Sequence, residues 1–289
     1  MRSLKLALLF AVIAAFSFSA FAQSAPKLKR TVHKSDRFDF GVGGTLSVTG
    51  APVGSIRIEG WPNREIEITA EVEIQADSEE DLTKLADVTT FVLEESLGRT
   101  GIISVGTHDK KYLKRKDKKF PKHLLAMPSR IDYVIKVPQY TDVQIDGGKG
   151  DLLISGIEGT MKLNYLETNA VLQLVGGATT ATFGTGTVEI SIPTASWRGR
   201  PTDIQLATGD MNVTLPPSLN AEIDATILRT GKIDNAYMDL KPRVRKAEFT
   251  EKSVVAKSGI GGVSLKFSVG DGTIKINNSA GVKMARDIP

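Results

Sequence analysis

Between Lys110 and Lys122 the chain carries eight basic side chains, Lys110, Lys111, Lys114, Arg115, Lys116, Lys118, Lys119 and Lys122, against one acid, Asp117. A run of this kind suits one chemistry, the holding of anions. Each lysine near an anionic surface contributes on the order of 1 kcal/mol, so eight together can keep a protein at such a surface reversibly. Tyr112 and Phe120 are interspersed among the lysines, and Pro121 marks a segment leaving regular structure. The partners that fit are phospholipid head groups, lipopolysaccharide phosphates or an anionic wall polymer. Nucleic acid would use the same charges, but an exported chain meets little of it. The competing account is a solvated loop whose lysines keep strand edges from pairing with other chains.

Other chemistry-bearing residues are scattered. A metal site needs histidines converging with carboxylates. His33 lies near the start, and His108 and His123 flank the basic run, so solvated positions are expected for all three. The absence of cysteine excludes disulfides, thiolate metal sites and cysteine nucleophiles. A glycosidase needs two facing carboxylates. Asp146, Asp151, Glu158, Glu189, Asp210 and Asp271 are available, but Asp151, Asp210 and Asp271 each follow a glycine, where Asp bonds its own turn. Trp197, with Arg198 and Arg200 beside it, is a candidate polysaccharide contact, set against ordinary corner packing of a lone Trp. Ser258-Gly259-Ile260-Gly261-Gly262 lacks the strand–helix context of a nucleophile elbow, and no helix follows Gly41-Val42-Gly43-Gly44 as a dinucleotide site requires. No catalytic, cofactor-binding or metal-binding residue is assigned, and no cofactor is expected.

The elements that must position these residues are short strands. Gly44–Val48, Gly54–Ile58 and Glu65–Ile74 alternate apolar and polar residues, the mark of one buried and one wet face. Ser78-Glu79-Glu80-Asp81 ahead of Leu82 and Leu85 predicts one short helix. From Asp142 the rhythm becomes regular: alternating units of five to seven residues start every 8–10 residues, with glycines between them. A unit this short buries its apolar row only by stacking on neighbours. The expectation is an all-β, repetitive, solenoid-like fold with glycine corners; the alternative is an antiparallel sandwich or meander.

Met1–Lys5 is charged, Leu6–Phe18 is apolar, and Ala20-Phe21-Ala22 offers a signal peptidase site. The expected organisation is a signal peptide at 1–22, a flexible leader at 23–40, an N-terminal β region with one short helix at 41–109, a basic loop at 110–126, and a continuous β-strand-repeat region at 127–289. No later stretch is suited to crossing a membrane. The formal charge of +4 falls when Arg2 and Lys5 leave with the signal. Outside the basic run the mature chain is therefore net acidic, and the positive charge is local.

Gly184–Ile190, Thr208–Pro216 and Gly270–Ile276 resemble the repeated G-(S/D)-(G)-x-(V/I)-x-(V/I) unit of the "putative adhesin", DUF4097-type β-strand-repeat proteins. Gly54–Trp61 resembles their entry strand. The resemblance covers residues 41–76 and 131–277; the basic run departs from it. It implies a repetitive β fold in exported or membrane-attached bacterial proteins, and no catalytic residue carries over. The reading is a non-enzymatic structural or surface-binding protein of a Gram-negative-type envelope, periplasmic or at the outer surface. It would contact an anionic polymer or lipid through polar β faces and the basic run. The alternatives are an enzyme on an envelope polysaccharide and a periplasmic partner of a signalling complex.

Overall fold

Alternation decides the architecture, because every strand has one apolar row to bury and stacking in parallel buries all of them at once. The computed structural model describes residues 27–41 and 43–279; the expected signal peptide at 1–22 lies outside the described residues. The elements are β1 (Leu28–Asp39), β2 (Thr45–Thr49), β3 (Ile56–Trp61), β4 (Glu65–Ala76), α1 (Glu79–Val88), β5 (Thr90–Ser96), β6 (Arg99–Val105), α2 (Lys110–Lys116), a 3₁₀ turn (Lys122–Ala126), β7 (Ser129–Pro138), β8 (Asp142–Lys149), β9 (Leu152–Ser155), β10 (Met161–Gln173), β11 (Gly176–Ser191), β12 (Arg198–Leu215), β13 (Ala221–Asn235), β14 (Lys241–Pro242), β15 (Ser253–Ser258) and β16 (Val263–Asn278). They form one large sheet.

The core of that sheet is a stack of parallel coils. Val143 pairs with Met161 and Met161 with Thr179, a step of 18 residues that recurs in the cross-coil bonds Asn164–Asp146 and Asn169–Asp151. β11 continues onto β12, β12 onto β16 and β16 onto β13, all in parallel. The register lines up buried rows. One runs Ile145, Leu163, Ala181, Ile204, Phe267 and Ala225; another runs Leu152, Ala170, Val188, Met211, Ile274 and Ile233. Two alanines, Ala181 and Ala225, are interspersed among the large side chains of the first row, and Phe267 stands beside Ala225. This is the solenoid arrangement, not the antiparallel sandwich.

Each coil turns a corner where glycines stack. Gly186, Gly209, Gly272 and Gly231 are in register. At Gly209 φ is +137° and an added Cβ would lie 1.8 Å from the carbonyl oxygen of Gly186. Only glycine reaches that φ and tolerates that approach. Thr168 occupies the equivalent place in β10, paired with Gly186.

Two features of strand order escape the linear repeat. β16, the last strand, lies between β12 and β13. At the other end, β6 and β7 stack on β2 and β3 as an outermost coil formed later in the chain. That end is covered by the antiparallel strands β4, β1 and β5. The other end is covered by β15 and β14.

The leader expectation is corrected over most of its length. Residues 28–39 form a strand paired along its whole length with β4. The polar composition hides a charge match: Lys29 meets Glu73 at 2.6 Å, Arg37 pairs with Glu65, and Arg30 meets Glu79 of α1 at 2.6 Å. Val32 and Phe38 pack against the core. Helix α1 forms where expected: the Ser78 hydroxyl accepts from Asp81 N at 3.2 Å, and Leu82, Leu85 and Val88 are buried.

Candidate functional site: a basic platform at the capped end

The basic run is folded, not an extended loop. Asp109 caps α2, its Oδ1 accepting from Lys111 N and Tyr112 N at 2.9 Å each, a cap of about 1 kcal/mol. Leu113 is buried beneath the helix, Phe120 packs against the core, and Leu124 of the 3₁₀ turn is fully buried. Three apolar anchors spaced among lysines thus pin a short helix and a turn to the body. That spacing was the available signal for a folded segment; the density of lysines obscured it.

The insertion sits between β6 and β7, which are the two halves of the outermost coil. Beneath it the Tyr133 hydroxyl and Ser104 Oγ share a hydrogen bond of 2.7 Å that ties these halves together. Burial pushes the Tyr133 phenol up to about 12, against a smaller opposite effect of Ser104, so it stays protonated.

All eight basic side chains of the run are exposed, and none makes an ion pair with another described residue. Arg115 does lie over the Tyr112 ring, at 5.9 Å from its centroid. The arrangement costs the fold something, since like charges at i, i+4, as in Lys110–Lys114 and Lys111–Arg115, each destabilise a helix by about 0.2–0.5 kcal/mol. Cations near the helix C-terminus recover part of this through the helix dipole. The platform's field reaches β1: burial lowers the Lys34 pKa, Asp87 pulls it up, and Lys116 lowers it again. What the platform can do chemically is concentrate anions at one end of the stack.

Of the remaining candidates, His108 and His123 flank or sit on the platform and the others lie elsewhere. His33 is 3.8 Å from Glu71, His123 is 3.4 Å from Asp81, and His108 Nε2 is 3.1 Å from the Ser104 carbonyl. Among the described residues no cluster of three or more His, Cys, Asp or Glu is placed to hold a metal ion. Trp197 is half-buried against the core and its ring covers Gly199; Arg198 and Arg200 are exposed at the start of β12. Two of the three glycine-following aspartates, Asp151 and Asp271, bond to the next coil. Asp151 accepts from Asn169 at 3.2 Å. Asp271 takes the Arg229 guanidinium and, at 3.2 Å, the Thr230 amide. The guanidinium and the Thr230 bonds hold the Asp271 carboxyl below the usual carboxylate range, against desolvation.

The outward rows of the stack carry mixed charge. Val171, Glu189, Asn212, Lys275 and Asp234 share one row, and Asn169, Thr187, Asp210, Thr273 and Lys232 another. Strands are about 4.8 Å apart, so opposite signs neutralise each other along these rows and no strong field builds.

No family model matches the chain, and no curated protein matches it. Among solved structures it is similar to a "putative cell adhesion protein" from Clostridium sporogenes. The two share 12% identity over 86% of this chain and 100% of that one, with a TM-score of 0.46. A "putative adhesin" from Bacteroides fragilis shares 12% identity over 86% of this chain and 97% of that one, with a TM-score of 0.24. Among the described residues no helix is long and apolar enough to cross a membrane.

Proposed function

We propose that the chain is an exported, non-enzymatic binding protein of the bacterial envelope that attaches to an anionic surface through the basic platform. One observation carries the reading: eight exposed cations, without ion pairs among the described residues, on a segment that the buried Leu113 and Leu124 and the half-buried Phe120 hold to the body. A preorganised cluster loses less entropy on binding than a disordered arm would. The coil stack serves as a rigid support, and its mixed polar faces add weaker contacts along an extended partner. Export is supported by the charged, apolar and small-residue sequence of the first 22 residues.

The test is co-sedimentation of residues 23–289 with anionic vesicles, lipopolysaccharide, peptidoglycan and neutral vesicles, each at low and high salt. A second protein has the eight basic residues changed to Gln. The expected result is binding to at least one anionic fraction that weakens with salt and is lost in the Gln protein. Equal sedimentation of the two proteins, or none by either, overturns the reading.

A further inference from the structure

The insertion leaves open a corner of the outermost coil, and the clefts beside it are larger than the roughly 290 Å³ cleft at the Gly150, Thr168 and Gly186 corners of the regular coils. In the coils from β11 to β13 and β16 the corners close backbone on backbone; at Gly209 an added Cβ would lie 1.8 Å from the Gly186 carbonyl oxygen. Above Gly50–Val53, however, the outermost coil is interrupted between Val105 and Ser129. The insertion bridges the gap without filling it. Two clefts result, of about 610 and 420 Å³, and they share Pro52 and His108. These volumes fall in the range of small-molecule sites. Apolar side chains contribute to both linings: Ala51, Pro52 and Ile103 to the larger cleft, and Pro52, Val53, Leu125 and Met127 to the smaller. Val53 is 42% exposed and Leu125 45% exposed, so both present apolar surface to water.

The charges at the mouth are unequal. Asp109 is engaged in capping α2, Asp146 accepts from the Asn164 amide, Glu73 is paired with Lys29, and Arg130 with Asp132. Lys110 and Lys111 line the larger cleft and have no ion pair among the described residues. An apolar trough with free cations at its mouth is complementary to a molecule with an apolar chain and an anionic head.

We infer that this trough takes the acyl chain of an anionic membrane lipid, with the head group held by Lys110 and Lys111. The inference rests on the surface-attachment reading and names its ligand class. It divides binding into two parts: the platform brings the protein to the membrane by charge, and the trough makes the contact resistant to salt.

Because the chain has no cysteine, a single label can be placed. Leu125→Cys carrying an environment-sensitive fluorophore reports from the trough, and Asn212→Cys on the polar face serves as the control. Both are mixed with phosphatidylglycerol vesicles whose acyl chains carry bromine, and with phosphatidylcholine vesicles. The expected result is a blue shift and quenching at position 125 with phosphatidylglycerol only, and neither at 212. In sedimentation the unlabelled double variant Val53→Asp/Leu125→Asp should lose the salt-resistant fraction and bind roughly tenfold more weakly at high salt, since apolar burial drives that contact. Both residues are half-exposed, and circular dichroism would verify that the variant is folded. Binding to phosphatidylglycerol that salt abolishes, with position 125 unquenched, overturns the acyl-chain inference and leaves surface attachment standing. Binding to none of the anionic fractions overturns both.

Discussion

The regular coils from β8 to β13 and the interrupted coil at the capped end are built from the same kind of strand, yet they close their corners in opposite ways. In the coils from β11 to β13 and β16, glycines stack in register and backbone meets backbone, with no room for a side chain; in β10 the column begins with Thr168. In the interrupted coil the corner is replaced by an insertion held by Leu113, Phe120 and Leu124. The closed corners make the stack rigid and featureless. The open one gives the molecule a charged surface and an apolar trough. The proposed binding surface lies where the repeat is broken, since the stacked glycine corners leave less space and the outward rows carry mixed charge.

The largest expected effect separates a closed corner of the stack from the open β5–β6 turn at the capped end. Gly209→Val combines a disallowed φ with a clash against Gly186, and should cost about 4 kcal/mol. Gly98→Ala, at φ +71° with open space around it, should cost only about 1–2 kcal/mol. Urea unfolding measures both, and equal losses would break the comparison.

Next come the cores. Phe183, fully buried in the stack, should cost about 3–5 kcal/mol as Ala, seen as loss of global stability. Leu124→Ala should cost about 2–3 kcal/mol, but hydrogen exchange should show opening confined to residues 107–128. Exchange spread through β10–β12 would mean that the insertion and the stack unfold as one unit.

A smaller effect depends on pH. At the junction of β3 and β7, burial raises the Asp132 pKa, but hydrogen bonds from Arg130 at 2.6 Å and from the Ser55 hydroxyl and amide at 2.6 and 2.7 Å outweigh it, and the net shift is downward. A carboxylate with a depressed folded pKa contributes stability above its unfolded pKa and loses it as pH falls through the folded value. Asp132→Asn should therefore cost about 1 kcal/mol at neutral pH, and its difference from the wild type should vanish in acid below the ordinary carboxylate range. A difference that persists there would remove the ionised group from the account.

The smallest effect is a gain. Thr168 stands in the glycine column with its buried Oγ1 unpartnered among the described residues. Thr168→Val keeps the shape and removes the orphan hydroxyl, and should stabilise by about 1 kcal/mol. A loss in urea midpoint would show that the hydroxyl has a partner in solution.

Much of the stack was legible because its information is local. Alternation along Asp142–Ile154 and Gly186–Ile192 names the buried row, and glycines name the corners. Neither feature depends on what lies far away in sequence. Helix α1 was legible for the same reason, since Ser78 and the leucines behind it are neighbours. The leader was misread because β1 is held by charges on β4 and α1: Lys29 and Arg37 look like solvated residues until Glu73 and Glu65 stand opposite them. The basic run was legible as a charge cluster and illegible as a folded platform.

The sequence by itself determined that the chain is all-β, repetitive and locally basic, because periodicity and charge are properties of contiguous residues. Only the tertiary structure decided that β16 inserts between β12 and β13, that β6 and β7 form the outermost coil, and that Val53 and Leu125 line one cleft. Those outcomes turn on which of several similar apolar rows pair. Rows of nearly the same composition can stack in more than one order, and the order is fixed by the summed packing of the whole stack.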